Sequence, residues 1–283
     1  EGTTVELEIG RAGESRPFDV IVTRGIIDVP SVRSRELEDG YWLIRVSRFQ
    51  RDSGREVTRA IESALEKGEV KGVVLDVRNN PGGVMNASVE MASNFLDGGL
   101  VVYTKGRHPD SMNTYNAESG ELLPGVPVVV LVNSGSASAS EIIAGALQDR
   151  GRAVIMGTQS FGKGSVQTVL PVSDTKALKL TTSLYYTPNG RSIQAEGIVP
   201  DVVVERAQLT SLEQGNRLRE ADLNRSIENT GSNVETETEA IATLRVDDNQ
   251  VYEAFTLLKG INVYQSLGAT PSNIVGTDSK KGF

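Results

Sequence analysis

The sequence predicts an α/β fold, and two features carry that prediction. Residues 72–77 and 126–132 are short, continuously apolar segments, of the length and type expected for strands buried inside a parallel sheet. Each is followed by a loop that contains glycine and then by a helical pattern. Alternation of strand, loop and helix is typical of an α/β core.

The elements that precede this core are predicted from β-rich segments and one capping pattern. Residues 5–9 and 18–22 are expected to form two strands, because a turn-forming stretch separates them. A strand at 41–46 leads to a helix from Ser53 to about Lys67. Ser53 is followed three residues later by Glu, so this helix is expected to begin with a capping box.

Within the core, each buried strand is expected to lead into a helix. The predicted order is strand 72–77, a helix ending near 96, strand 126–132, a helix over about 140–148, and strand 153–156. Two β-rich segments, 166–170 and 177–186, and a turn at 187–190 then form an additional β-rich segment.

The remainder, from Ala207, is polar and predicted to be mostly helical. Residues 228–239 are rich in Asn, Thr, Ser and Glu and are interpreted as a linker. The last helix, 249–267, is expected to be amphipathic, with one apolar face formed by Val251, Phe255, Leu258 and Val263. We expect this face to dock on the core or on another subunit.

Composition excludes several kinds of chemistry. The 283 residues include no cysteine and one histidine, so neither a thiolate nucleophile nor a multi-histidine metal cluster can be built. The net charge of −8, with no stripe of Lys and Arg, argues against nucleic acid as a partner. No apolar stretch approaches the ~20 residues of a transmembrane helix. The chain begins at Glu1 without a signal-like stretch, which suggests a mature protein or a trimmed fragment.

The single histidine limits the possible catalytic bases. His108 lies in a charged segment broken by proline, which predicts an exposed loop. A serine nucleophile in this chain would therefore need another base, and lysine is the residue we expect.

Ser138 is the first candidate nucleophile. It lies between a buried strand and a helix, where unpaired backbone N–H groups could stabilise an oxyanion. Ser138 and Glu141 also form a capping-box pattern, so a purely capping role is an open alternative.

Three interpretations apply to the segment around Lys163. It matches a phosphate-binding loop, but Gly164 stands where Ser or Thr is needed and a strand follows instead of a helix. Ser160 and Lys163 match S-x-x-K, although nearby glycines oppose the helical turn which that pair requires. The third interpretation makes Lys163 a neutral general base. At a period of two, Gln167 would lie on the same face and hold it.

Gly82 and Gly83 form the third candidate loop. Two consecutive glycines after a buried strand allow close backbone approach, so their N–H groups could form half of an oxyanion hole. An ordinary tight turn is the alternative.

Together these loops resemble the carboxyl-terminal processing proteases, the tail-specific serine peptidases with a Ser-Lys dyad. The matching stretches, in chain order, are LDVRNNPGG at 75–83, GSASASE at 135–141, FGKGSVQ at 161–167, YYTPNGRSIQ at 185–194 and GIVPD at 197–201. The resemblance implies that Ser138 is the nucleophile, Lys163 its base and Gln167 the residue that positions the lysine. It implies an oxyanion hole formed by Ala139 together with Gly82 or Gly83.

The resemblance also implies a domain organisation. Residues 1–24 resemble the end of a PDZ domain and its return strand, without the carboxylate-binding groove. Residues 25–206 would be a protease core similar to the crotonase and Clp protease folds, and 207–283 a helical region for docking or oligomerisation. One departure is Ala195, where the family usually has glycine, and we expect a small local effect.

The function implied is that of an endopeptidase that cleaves proteins near accessible C-termini, without metal or other cofactor. Family likeness also implies a periplasmic bacterial enzyme, a homo-oligomer, and delivery of substrates by an adaptor protein. Two alternatives stay open: a crotonase-like acyl-CoA enzyme, which shares the oxyanion-hole logic, and a non-catalytic binding or assembly protein in which Ser138 is only a cap.

Overall fold

The computed structural model describes residues 1–26, 29–209 and 239–267. The chain divides into two compact units, Glu1–Pro30 and Ser31–Phe283. Most of the segment interpreted as a linker lies outside the described residues, and only its last residue, Glu239, is described, as the start of a helix.

The described residues form twelve strands and five α-helices. The strands are β1 (Thr4–Ile9), β2 (Phe18–Thr23), β3 (Val32–Glu38), β4 (Tyr41–Val46), β5 (Gly72–Asp76), β6 (Gly99–Gly106), β7 (Asn113–Ala117), β8 (Val128–Val132), β9 (Val154–Gly157), β10 (Ser165–Ser173), β11 (Lys176–Tyr186) and β12 (Val202–Val203). The helices are α1 (Ser53–Lys67), α2 (Met85–Ser93), α3 (Ala139–Asp149), α4 (Glu239–Asp247) and α5 (Asn249–Ser266), with a 3-10 turn at Pro109–Ser111.

The first unit is a two-stranded antiparallel hairpin of β1 and β2. In its register Val5, Leu7 and Ile9 stand opposite Val22, Val20 and Phe18. Because paired residues point to the same side of a sheet, these six apolar side chains share one face. The two strands lie where the sequence predicted them.

The second unit is built on a six-stranded sheet in the order β12-β9-β8-β5-β4-β3. The strands run parallel except β3, which pairs antiparallel with β4 along one edge. β5 and β8 are buried along their whole length, as expected for central strands that are covered on both faces.

Helices cover both faces of this sheet. One apolar cluster joins Ile44, Leu75 and Val130 to the inner faces of α1, α2 and α3. The other joins Leu43, Val74 and Leu131, whose side chains point to the opposite face, to residues of α4 and α5. The predicted α/β core is therefore confirmed, and the structure adds that its helices lie in layers on both faces of the sheet.

A second sheet, antiparallel and four-stranded in the order β10-β11-β6-β7, carries the additional β-rich segment. The sequence predicted β10 and β11 but not β6 and β7. β3 and β12 were also missed, because exposed polar residues dominate the first and the second has only two residues.

Two predictions about helices were wrong. The residue that precedes α1 is Asp52, and Glu56 does not cap the helix; its Oε2 accepts hydrogen bonds from Ser31 Oγ at 2.6 Å and from the Val32 N–H at 3.1 Å. Glu56 thus fastens β3 to α1. Val263 is 60% exposed and lies off the buried face of α5.

The apolar face of α5 is formed instead by Val251, Ala254, Phe255 and Leu258, which are all buried against the sheet. Asn262 continues this side of the helix with hydrogen bonds to Tyr41 Oη at 3.0 Å and to the Lys71 carbonyl at 2.7 Å. Of the two docking modes expected, the helix adopts the one on the core. None of the described helices is long and apolar enough to cross a membrane.

Candidate active site

The loops that follow β5 and β8 meet at the carboxyl edge of the parallel sheet. We call residues 79–83 the oxyanion turn and residues 133–138 the serine loop. The Ala137 N–H and Ser140 Oγ both donate to the Asn80 carbonyl, at 3.0 Å and 2.9 Å. Ser136 Oγ donates to the Val77 carbonyl at 2.8 Å. Because parallel strands end side by side, two segments far apart in sequence are joined here.

Ser138 occupies a sharp strand-to-helix turn. It is the N-cap residue of α3, and the predicted capping box is present. An ordinary N-cap residue is extended, whereas Ser138 has φ 56° and ψ −112°. A non-glycine residue with positive φ is strained and marks a position that the surroundings enforce. Ser138 is therefore a helix cap in an unusual conformation, with a half-buried side chain.

The two glycines of the oxyanion turn differ in what their N–H groups do. The Gly82 N–H donates to Asn80 Oδ1 at 2.9 Å and is therefore occupied. The residues on either side of Gly83 both bind Phe49: the Phe49 N–H donates to the Gly82 carbonyl at 3.0 Å, and the Val84 N–H donates to the Phe49 carbonyl at 2.9 Å. Because successive N–H groups of an extended segment point to opposite sides, the Gly83 N–H points away from Phe49. Within the described part of the chain, the Gly83 N–H has no acceptor.

Close packing places the oxyanion turn against the serine loop and the start of α3. A methyl group on Gly82 would lie 2.8 Å from Ser138 Cβ and 3.0 Å from the Ala139 nitrogen. The Ala139 N–H, at the start of α3, likewise has no acceptor among the described residues. Among the described residues, the N–H groups of Ala139 and Gly83 are thus both unpaired, and of the two glycines Gly83 is the better candidate for the second donor.

Glu141 connects the serine loop with the lysine loop, residues 160–164. Its carboxylate is fully buried and accepts four hydrogen bonds. Oε2 accepts from the N–H groups of Ser138 at 2.7 Å and Lys163 at 2.9 Å. Oε1 accepts from Ser160 Oγ and the Gly162 N–H, both at 2.6 Å. Sequence reasoning recognised Glu141 only as a capping residue and missed its other three partners.

Lys163 is half-buried, and its backbone is fixed by Glu141. In the part of the chain that is described, no hydrogen bond joins Lys163 Nζ to Ser138 Oγ or to Gln167. Lys163 lies two residues before β10, and a register shift between Val166 and Gln167 interrupts the alternation of side chains. The period-two argument for a shared face of Lys163 and Gln167 therefore does not apply, and Gln167 is exposed.

His108 is placed as the sequence analysis expected, and Ser160 has a structural role that the sequence did not predict. Ser160 is buried and donates to Glu141, and its Oγ also accepts from the Ile198 N–H at 2.7 Å, which makes it a structural residue. No helix follows the lysine loop, so the phosphate-binding interpretation has no support. His108 is exposed. No group of three or more His, Asp or Glu in the described residues could hold a metal ion.

The loop after β11 packs directly on the lysine loop. Ala195 donates its N–H to the Gly162 carbonyl at 2.9 Å and has φ 66°. A methyl group on Gly164 would lie 2.3 Å from the Gln194 nitrogen, so the two backbones are in contact. Ala195 thus adopts a left-handed conformation that glycine would adopt without strain.

A buried charge network underlies the oxyanion turn. Arg78, 7% exposed, binds Asp76 on β5 and Asp248 at the start of α5, and Arg45 also pairs with Asp76. Burial opposes the charge of Arg78, but the hydrogen bonds that it donates to Asp76 and Asp248 outweigh burial and raise the pKa of the guanidinium above its ordinary value. Burial likewise opposes ionisation of Asp248, yet the hydrogen bond from Arg78 lowers its pKa. Sequence reasoning missed this network.

Comparison with known proteins identifies the family of this chain. Residues 40–204 match the model of peptidase family S41. This segment contains the oxyanion turn, the serine loop and the lysine loop. The chain belongs to peptidase family S41.

Individual relatives agree with this assignment. The chain is 41% identical over 281 residues to the carboxy-terminal-processing protease of Bartonella bacilliformis, covering 96% of this chain and 64% of the relative. It is 39% identical over 220 residues to the carboxyl-terminal-processing protease of Synechocystis, covering 75% of this chain and 50% of the relative. The chain thus spans between half and two thirds of the length of these two curated relatives.

Among solved structures, the photosystem II D1 C-terminal processing protease is similar, with a TM-score of 0.57 and 32% sequence identity. The similarity covers 72% of this chain and 56% of that chain.

Proposed function

We propose that this protein is a serine endopeptidase that cleaves protein substrates near their C-termini through a Ser138–Lys163 dyad. One observation carries the proposal: the buried carboxylate of Glu141 binds the backbone of both residues, at 2.7 Å and 2.9 Å. Two loops that are 25 residues apart in sequence are thereby held at one end of the sheet. Neither the capping role of Ser138 nor the stability of α3 requires a lysine at this position.

The proposed reaction follows from the groups at the site. Lys163 in its neutral form takes the proton of Ser138 Oγ, and the oxygen attacks the carbonyl carbon of the scissile peptide bond. The developing oxyanion accepts hydrogen bonds from the free N–H groups of Ala139 and Gly83. Collapse of the tetrahedral intermediate releases the amine product, which takes up the proton, and leaves an acyl-enzyme that water hydrolyses.

Alignment of the dyad would accompany substrate binding. The hydrogen bond from Ser138 Oγ to Lys163 Nζ is not formed among the described residues, and such catalytic hydrogen bonds often tighten only when substrate is bound. In this proposal Gln167 holds Lys163 after a side-chain rearrangement, and Gly82 supports the turn through Asn80 instead of donating to the oxyanion.

The test is cleavage of an unfolded protein with a defined C-terminus, followed by intact mass. Ser138→Ala and Lys163→Ala should both abolish cleavage, because residues that act as a unit fail together. Ser134→Ala is the matched control, since Ser134 is an exposed serine of the same loop. Ser160→Ala is a poorer control because Ser160 Oγ binds Glu141. Cleavage by the Ser138→Ala protein would refute the assignment.

The cleavage assay, with CoA-thioester binding and phosphonate labelling measured beside it, separates the two alternative functions. A crotonase-type enzyme would bind a CoA thioester and tolerate loss of Lys163. A binding or assembly protein would neither cleave the substrate nor form an adduct on Ser138 with a serine-directed phosphonate.

Wider features are proposals that rest on family likeness. We infer a core of the crotonase and Clp protease type, a PDZ remnant at residues 1–24, a periplasmic location, an adaptor that delivers substrates, and a homo-oligomer. The apolar face of the β1–β2 hairpin supports the PDZ interpretation, since a hairpin of two strands is stable only when such a face is covered.

A further inference from the structure

We propose that Asp248 is a positioning residue for the oxyanion turn, so that docking of the C-terminal helix α5 and the geometry of the candidate active site are coupled. This inference rests on the proposed function, because it names what holds one part of that site. The coupling acts through Arg78, the residue immediately before the turn.

The guanidinium of Arg78 uses every donor that it has. Nε donates to Asp76 Oδ1 at 2.9 Å, and Nη2 donates to Asp76 Oδ2 at 2.8 Å. Nη1 donates to Asp248 Oδ1 at 2.9 Å and Nη2 to Asp248 Oδ2 at 2.7 Å. Gln250 Oε1 accepts the fifth hydrogen bond, from Nη1 at 2.8 Å. A guanidinium has five N–H groups, so three residues saturate it and fix its orientation.

Two of these three partners belong to the start of α5. Asp248 is the N-cap residue of that helix, and its side chain also accepts from the Val251 N–H at 3.2 Å. Gln250 Nε2 donates to the Val204 carbonyl at 2.6 Å, which ties the same turn of α5 to the segment after β12. One carboxylate therefore both caps α5 and binds Arg78.

The backbone of Arg78 leads directly into the oxyanion turn. Its carbonyl accepts from Arg45 Nη2 at 3.3 Å, and the next residue, Asn79, has φ 55° and exchanges hydrogen bonds with Asn133 of the serine loop. Rotation of Arg78 would displace Asn79 and the glycines that follow it. Since the side chain of Arg78 is held at its far end by α5, the start of the turn is held as well.

Asp248 also balances the charge of the network around Arg78. The network contains two arginines and two aspartates, so removal of the Asp248 charge leaves one uncompensated positive charge, largely buried. Two donors of Arg78 would also lose their charged acceptors. We expect the guanidinium to move towards water and the turn to loosen with it.

The test uses Asp248→Asn, which separates the two roles of the residue. Asparagine caps helices as well as aspartate does, so α5 should stay formed, while the bidentate ion pair with Arg78 is lost. Asp247→Asn is the matched control, because Asp247 is exposed and makes the same charge change one residue away. Cleavage kinetics and amide hydrogen exchange are measured for both variants.

We expect Asp248→Asn to lower kcat ~10-fold and to leave KM within about twofold of the wild-type value. A change in kcat of this size is typical of coupling between sites through a network of side chains. Amides of residues 77–84 should exchange faster, and those of α5 should keep the protection of the wild type. Arg78→Lys keeps the positive charge but loses the bidentate hydrogen bonds of the guanidinium, so it should lower kcat and speed exchange in the same way. The double variant with Asp248→Asn should show no larger effect than either single variant.

Hydrogen exchange distinguishes a failure of this inference from a failure of the proposed function. If the wild type cleaves nothing, the proposed function fails, and exchange at residues 77–84 still decides the role of Asp248. Exchange there equal to that of Asp247→Asn overturns the inference. Loss of protection throughout α5 also overturns it, because Asp248 would then hold the helix and not the turn.

Discussion

Replacement of Glu141 by glutamine tests the central feature of the site. The carboxylate is fully buried and accepts four hydrogen bonds, two on each oxygen. Glutamine has nearly the same shape but only one acceptor oxygen, since the other becomes an NH2 donor. Whichever way the amide is oriented, its NH2 group faces donors that the carboxylate had satisfied.

The structure sets the size of the effect. With the amide nitrogen at the Oε2 position, the N–H groups of Ser138 and Lys163 both lose their acceptor. With the nitrogen at the Oε1 position, the Gly162 N–H loses its acceptor, whereas the Ser160 hydroxyl can rotate and accept from the amide. One or two hydrogen bonds to a charged group are thus lost without replacement, at about 1.5 kcal/mol each, so we expect about 1.5–3 kcal/mol of destabilisation. Activity should fall even where the protein is folded, because fewer hydrogen bonds hold the serine loop and the lysine loop together.

Urea unfolding followed by tryptophan fluorescence measures this change. Trp42 is the single tryptophan of the chain and is buried in the sheet, so its emission reports loss of the core. Glu66→Gln on α1 is the control, because Glu66 is exposed and should change stability by less than about 0.5 kcal/mol. A destabilisation below about 1 kcal/mol for Glu141→Gln, with full activity, would show that the carboxylate does not hold the loops together.

Three further predictions follow from the geometry. Gly83→Ala would place a methyl group 2.0 Å from the Phe49 carbonyl oxygen at φ 147°, and should cost about 2–4 kcal/mol in urea unfolding and abolish cleavage. Ala195→Gly should raise the free energy of unfolding by about 0.5–1 kcal/mol, because glycine adopts φ 66° without strain; a lower melting temperature would contradict this. The pKa of Asp248 lies below its ordinary value of 3.8, so the stability advantage of the wild type over Asp248→Asn should be constant from pH 7 to 5 and shrink below about pH 4. An advantage that persists unchanged at pH 3 would show that the carboxylate is not paired with Arg78.

The sequence pattern was sufficient to predict those strands and helices whose apolar or helical pattern lies within a single segment. The strands β4, β5 and β8 are apolar apart from Arg45 and Asp76, and α1 and α3 have helical patterns, so the positions of these elements were predicted to within about two residues. The candidate nucleophile and lysine were also named from the sequence, because their loops carry family motifs.

Strands that form only because they pair with another strand could not be predicted from their own sequence pattern. β3 and β7 have polar, exposed sequences and are strands only because a neighbouring strand supplies hydrogen-bond partners. The hydrogen bonds of Glu56 to β3 and its neighbour Ser31, and the exposed position of Val263, were unpredictable for the same reason, since each depends on what packs against the helix.

The sequence by itself determined the fold class, the order of strand, loop and helix, and the residues able to act as nucleophile and base. Tertiary structure decided how these residues are held. The carboxylate of Glu141 and the guanidinium of Arg78 each bind groups from separate segments, and such contacts leave no periodic signal in a chain. Hydrogen bonds between buried groups form only where the folded backbone brings a donor to an acceptor, so which partners meet is a property of the packed molecule.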